Sequence, residues 1–430
     1  MNKKIIILGG GLSGVSLGYF FKQHKVEPLI FEKEPRIGGI CSSRRKDGFT
    51  FDRSGHLLHF RDKANFLLVN SLLGGNLSRL KRSAWVYNFD KLIPYPFQLN
   101  LASLPPRISR YCMSEFIKAR NNGNGSGEPA SFLDWVYKNF GAGIARYFMI
   151  PYNLKFWRTP LEDLSSAWAD KLVVNPSLED MVSEPRNLGY HSSFYYPKRG
   201  GIDGLIKGFV RGLSKISLNH EASLIDLKKK KIHFLNGRQE RYDILFSTIP
   251  LPELGKITTE VPAKIRSAFN KLKWVSIYNI NLGLNGKIMP DRHWIYFPGK
   301  EVNFFRVGFF HNFSDDLAPE GKSASYVEVS YSGKNTIDKT RINAAIRKDL
   351  RRVNIINRET DILCEDVNDI RYGYPIYDKN YEKAREDILG FLEDKSVILC
   401  GRYGSWRYFS MEDVISESRE RVASLPEHAS

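Results

Sequence analysis

The segment KKIIILGGGLSGVSLGYFFKQHKVEPLIFEKE, Lys3 to Glu34, restricts the fold more than any other part of the chain. Ile5 to Leu8 form a continuous apolar run, as in a parallel strand covered on both faces. Gly9, Gly11 and Gly14 follow in GxGxxG spacing. The first permits the turn, the second lets the backbone approach a pyrophosphate, and the third lets helix and strand pack closely. Leu12 and Ser13 open a helix whose N-terminus attracts that anion. A second strand, PLIFE, ends at Glu32, where a carboxylate can reach a ribose hydroxyl. Strand, turn, helix, strand and acid together predict a dinucleotide-binding α/β unit. The two lysines and apolar run would also suit a signal peptide, which has no need of this glycine spacing.

Bulk properties narrow the class. The 430 residues suit two or three subdomains, and 42% hydrophobic residues can bury a large core. Lysine and arginine number 64 against 47 acids, a net charge of +17 that favours anionic ligands. Nucleic acid is a poor candidate, because the basic residues are dispersed and no recognition motif is present. Cys41, Cys112, Cys364 and Cys400 lie far apart with no CxxC, which suits reduced thiols in a cytoplasmic protein and argues against zinc or any other metal site. Residues 119–130 read as a polar, glycine-rich surface loop, after which Ser131 caps a helix with Asp134 at capping-box spacing. Phe132, Trp135, Val136 and Phe140 fall at helical spacing, so residues from about 100 to 190 read as mainly helical. Lys228 to Lys231 read as a solvated hairpin tip, and the segments HWIYFP, NFFRVGFFHNF and ASYVEVSYS as aromatic strands flooring a pocket.

The segment after Glu32, KEPRIGGICSS, resembles the extended fingerprint of FAD enzymes of the amine oxidase and mutase type. That resemblance implies that Lys33, Arg36, Gly38 and Gly39 lie along the cofactor. FTFDRSGHLLHF is similar to the glycine-histidine segment that passes the flavin in the same superfamily. It would put Gly55 and His56 beside the isoalloxazine, although a satisfied core histidine is the plainer alternative. The expected fold is α/β. It has a discontinuous FAD-binding Rossmann-type domain (1–100, 194–255 and 385–430), a helical subdomain (101–193) and an antiparallel-sheet substrate subdomain (256–384).

Four further segments narrow the likeness. FGAGIARYFMIPYNLKFWRTP, FYYPKRGG, YGYP and GRYGSWRY follow, in order, segments of the UDP-galactopyranose mutase family, particularly its eukaryotic branch. The resemblance runs over most of the chain. It implies a flavin-dependent mutase interconverting the pyranose and furanose forms of a nucleotide sugar. In that family, N5 of reduced FAD attacks the anomeric carbon and expels the diphosphate, with no net redox change. NAD(P)H or another external reductant would keep the flavin reduced. Tyr152 would then stack on the uracil, Asn153 and Trp157 would line the sugar side, and Arg306 would hold the diphosphate. Tyr296, Tyr374 and Tyr408 would complete the substrate site. Gly401, Arg402 and Met411 would belong to the cofactor site, with Arg402 near N5. Plain core or surface-turn roles remain the alternative for these aromatic stretches. The chain departs from the family twice. Leu172 stands where a second arginine is expected, with Lys171 beside it as the substrate-binding residue that would supply the charge without the planar fork, and Phe313 stands where a tyrosine is expected. Competing readings are an amine oxidase or desaturase-like oxidoreductase and a flavin-binding protein without catalysis. The expected partners are a nucleotide sugar, an acidic membrane in peripheral contact, and a second copy of the chain.

Overall fold

The computed structural model describes residues 3–122, 127–182, 192–358 and 361–425. The apolar run at the start becomes the central strand β1 (Ile5–Leu8) of a parallel five-stranded sheet. Its order is β19 (Val397–Leu399), β13 (Ile244–Ser247), β1, β2 (Leu29–Phe31), β9 (Ile216–Ser217). Segments separated by most of the chain thus meet side by side, with β13 on one edge of β1 and β2 on the other. The helix Leu12–Gln23 follows β1 at once and packs against the helix Met411–Ala423. A three-stranded meander, β10 (Ala222–Asp226), β11 (Lys231–Phe234) and β12 (Gln239–Arg241), has Lys228 and Lys229 exposed at its first turn.

A seven-stranded mixed sheet faces this unit. Its order is β18 (Ile362–Pro375), β14 (Trp274–Leu284), β17 (Ser323–Ser332), β16 (Arg306–Phe309), β15 (Trp294–Tyr296), β6 (Ala84–Asn88), β7 (Lys91–Pro94). Residues 84–94, counted with the first FAD-binding segment in the sequence reading, therefore pair into this second sheet. Period-two alternation gives the sheet two unlike faces. Tyr278, Ile280, Leu282, Val307, Val327 and Val329 form an apolar layer under the helix Lys339–Arg352. The opposite face carries Asn279, Asn281, Glu328, Ser330, Asp366 and Asn368, all buried. Two further antiparallel pairs are the hairpin β3 (Ser43–Lys46) with β4 (Phe49–Asp52) and the long-range pair β5 (Leu77–Lys81) with β8 (Ser193–Pro197).

Between the β7 strand and β8 the described chain is mainly helical. Ser131 Oγ accepts from Asp134 N–H at 3.2 Å, so the expected cap opens the helix Phe132–Ile144. The helix before it continues to Asn122, into the stretch expected to be loop. Gly141, at φ +67°, breaks the Phe132–Ile144 helix where a Cβ would overlap the Glu115 carbonyl. A π-helical turn, Ala145–Met149, then leads into the helix Ile150–Trp157. Pro151 brings no N–H to that junction, and the Tyr147 carbonyl accepts from Asn88 Nδ2 at 2.8 Å.

Candidate active site

The first half of the site is a backbone cradle. Gly9 has φ +104°, and a Cβ there would run into Thr248. A Cβ on Gly14 would overlap the Gly9 carbonyl, so only glycine lets the helix start this close to β1. Gly11 differs: nothing lies nearer than 4.0 Å to where its Cβ would be. Gly11 forms an isolated bridge with Gly38, whose N–H donates to Gly10 O at 2.8 Å. Leu12 and Ser13 begin the helix. No side chain caps its N-terminus, and no acid stands in its first turn. Glu32 is buried and reaches back to the turn, with Oε2 accepting from Gly10 N–H at 2.6 Å and Oε1 from Glu34 N–H at 2.9 Å. Lys33 and Arg36 are exposed on the loop before Gly38 and Gly39. Gly401, at φ +82°, closes the cradle from the other side, where a Cβ would lie 2.5 Å from Ser13 Cβ. Met411 Sδ lies 3.8 Å from Cys41 Sγ.

The second half is a row across the seven-stranded sheet. Asn368, Asn279, Glu328, Arg306 and Tyr296 are register partners on five successive strands, so their side chains share one face. Arg306 Nε donates to Glu328 Oε2 at 2.5 Å, and Ser54 Oγ donates to Glu328 Oε1. Burial opposes the Arg306 charge, but the Glu328 carboxylate outweighs it and holds the guanidinium protonated. The guanidinium also lies 5.7 Å from the Tyr326 ring centroid. Tyr326 is held in turn by Gly55 and Gly308, at each of which a Cβ would collide with its ring or hydroxyl.

An aromatic wall adjoins Arg306. The Tyr152 ring meets Tyr296 edge-on at 5.3 Å, and Tyr296 meets Tyr95 at 5.1 Å. Asn153, one residue on, is buried, and its Nδ2 donates to Met149 O at 2.8 Å within its own helix. Trp157 is 2% exposed and stands behind Tyr374, 6.3 Å from it, rather than at an open face. Tyr374 stacks on Tyr408 at 5.2 Å, and the Arg402 guanidinium lies 4.5 Å from the first ring and 4.8 Å from the second. Arg402 donates to Phe409 O at 3.1 Å and Gly373 O at 3.0 Å. Its Nε is buried with no partner in the described structure. His56 Nδ1 lies 3.1 Å from Ser54 O. Burial pushes His56 down to about 4, with Ser54 O, Glu328, Arg402 and Arg306 as weaker influences, so the ring is neutral at physiological pH. Burial also keeps the Tyr152, Tyr296 and Tyr408 phenols protonated.

Seven residues expected from the sequence therefore converge here: Tyr152, Tyr296, Arg306, Tyr374, Arg402, Tyr408 and His56. Lys171 belongs to the short helix Ala169–Leu172, but its side chain lies outside the described structure. Phe313 is 2% exposed and packs on Phe194, Tyr196 and His293, so in this chain it is a core residue. Sequence reasoning missed Glu328, Tyr326 and Tyr95. An acid inside the apolar-aromatic strand ASYVEVSYS was the one legible signal among them.

The family profile described as flavin containing amine oxidoreductase matches residues 12–424. The chain belongs to that family. Within the flavin containing amine oxidoreductases, it is similar to a probable UDP-galactopyranose mutase of Klebsiella pneumoniae, at 21% identity over 97% of this chain and 93% of the relative. The UDP-galactopyranose mutase of Mycoplasma pneumoniae is 22% identical over 54% of this chain, which spans only 58% of that relative's length. A crystal structure of reduced UDP-galactopyranose mutase superposes with a TM-score of 0.92 at 26% identity, over 100% of this chain and 97% of the other. The family's flavin fits the residues present. The open Gly11 face and the uncapped helix suit a pyrophosphate, and the orphaned Arg402 Nε is a donor in need of an acceptor. Among the described residues no helix is long and apolar enough to cross a membrane.

Proposed function

We propose that this chain is a flavin-dependent nucleotide-sugar mutase. It would interconvert the pyranose and furanose forms of UDP-galactose or a related nucleoside diphosphate sugar. The observation that carries the reading is Arg306, locked to Glu328 at 2.5 Å and set beside the Tyr152–Tyr296 wall. A permanently charged planar cation next to an aromatic face suits a nucleoside diphosphate.

FAD would bind along Gly9, Gly11, Gly14, Glu32, Gly39 and Gly401, and in its reduced state it supplies the nucleophile for the anomeric carbon. NAD(P)H or another external reductant would maintain that state. Arg306 would bind the diphosphate and stabilise its charge as it leaves. Tyr152 would stack on the base, and the protonated phenols of Tyr296 and Tyr408 would donate to phosphate oxygens. Arg402 Nε would donate to the flavin, beside a His56 ring that carries no competing charge.

The test is an anaerobic assay of the purified holoenzyme. The flavin is reduced with dithionite, UDP-galactofuranose is added, and UDP-galactopyranose is sought by chromatography. Conversion by the reduced enzyme alone is expected. A flavin-loaded enzyme that converts no nucleoside diphosphate sugar, yet consumes oxygen with an amine, would overturn the mutase reading in favour of an oxidase.

A further inference from the structure

Lys155 lies three residues after Tyr152, on the same side of the helix Ile150–Trp157. Its Nζ donates to four backbone carbonyls: Phe297 at 2.9 Å, Val302 at 3.0 Å, Phe304 at 3.3 Å, and Gly299. All four belong to the turn that links β15 to β16. Among the described residues no carboxylate lies within ion-pair distance of Lys155. Its three N–H groups are shared over four carbonyl dipoles, an arrangement that only a cation with several donors can satisfy. The same turn is held from its outer side by Asp349, whose Oδ2 accepts from Asn303 N–H and from Asn303 Nδ2, both at 2.7 Å.

The residues bounding this turn matter most. Tyr296 immediately precedes Phe297, and Arg306 comes two residues after Phe304. The ammonium therefore ties together the helix that carries Tyr152 and the turn that carries Tyr296 at one end and Arg306 at the other. We propose that Lys155 is a positioning residue that sets the spacing between the base-stacking wall and the diphosphate-binding arginine. It does so by gathering the carbonyls of the 297–304 turn onto the Tyr152 helix. This deepens the nucleotide-sugar reading and rests on it. The glycine cradle follows β1 of the five-stranded sheet, whereas the clamped turn belongs to the seven-stranded one, so flavin content is expected to survive loss of the clamp.

The test is UDP titration of the FAD-loaded enzyme, with flavin content and reduction potential read in parallel. Lys155→Met keeps the stem and removes the donors, so UDP affinity is expected to fall at least tenfold while flavin content and potential stay at wild-type values. Lys155→Arg keeps a multi-donor cation and is expected to recover part of the affinity, which also guards against a methionine variant that fails to fold. Lys155 acts through Tyr152 in this account. In a Tyr152→Ala background the methionine change should therefore cost less than threefold, the non-additivity expected of coupled residues. Wild-type UDP affinity in folded Lys155→Met, loss of UDP binding in a folded Lys155→Arg that keeps its flavin, or full additivity in the double variant would overturn the proposal while leaving the nucleotide reading intact. A wild-type enzyme that binds no UDP would overturn both.

Discussion

At the scale of single residues, the site is a contest between desolvation and pairing. Glu328 is 1% exposed and accepts from both Arg306 and Ser54, so the carboxylate is buried but satisfied. Removing Arg306 would strand it. Arg306→Ala is therefore expected to cost about 3–5 kcal/mol in urea unfolding and to abolish UDP binding with the flavin retained. Adding Glu328→Gln should restore most of the stability and none of the binding; recovery of binding would show that Arg306 does not hold the ligand. Arg402 is a second, partly buried cation, satisfied by carbonyls at two of its nitrogens and orphaned at its buried Nε. A charge-assisted hydrogen bond of about 1.5–3 kcal/mol to the reduced flavin corresponds to about 30–60 mV for a two-electron couple. Arg402→Ala should accordingly shift the flavin potential about that far in the negative direction, as measured by anaerobic dye equilibration, and an unchanged potential would remove Arg402 from the flavin.

At the scale of elements, the glycines of one short motif do different jobs, and substitution should separate them. Gly14 supports the fold: a methyl group there would overlap the Gly9 carbonyl, and the helix Leu12–Gln23 would have to leave β1. Gly11 has φ −74° and open space at its Cβ position, so alanine fits the polypeptide. Gly14→Ala should yield an unstable chain, by thermal melting and soluble expression. Gly11→Ala should melt near the wild-type temperature of the flavin-free chain but purify colourless. Equal flavin content in Gly11→Ala and wild type would argue against a pyrophosphate at that turn. The seven-stranded sheet works by the same economy of local geometry. One face of β14 and β17 presents apolar residues to the helix Lys339–Arg352, while the alternate residues present the polar row to the site.

At the scale of the molecule, burial of titratable groups makes stability depend on pH. Burial holds His56, His59 and His293 each down to about 4. Between pH 6.5 and 4 the unfolded chain takes up protons at these positions that the folded chain refuses, so stability falls as pH falls through that window. Asp52 acts in the opposite direction. Burial raises it to about 6, against the hydrogen bonds from Ser43, Tyr196 and Ile202, so the folded chain gains a proton first and stability rises as pH drops from 6 towards 3.8. Three histidines outweigh one aspartate, and the urea midpoint is expected to be lower at pH 5 than at pH 7. A midpoint that holds constant or rises on acidification would show that these imidazoles reach solvent protons in the folded state.

What the sequence determined by itself was local in origin. The strand–glycine turn–helix unit and the Ser131 cap depend on groups a few residues apart, whose geometry follows from backbone conformation and short-range hydrogen bonds. The resemblance of several motifs, taken in order, added Arg306, Arg402 and the tyrosines. The tertiary structure alone decided which residues share a face. Asn279 and Asn368 are 89 residues apart, yet they stand next to each other in the row that ends at Arg306 and Tyr296. Strand register creates that row, and register is set by the apolar layer on the sheet's other face, which no local pattern encodes. The same long-range packing seals Phe313 among Phe194, Tyr196 and His293, buries Trp157 behind Tyr374, and makes Glu328 the partner of Arg306. Each is a contact between distant segments, fixed only when the whole core closes.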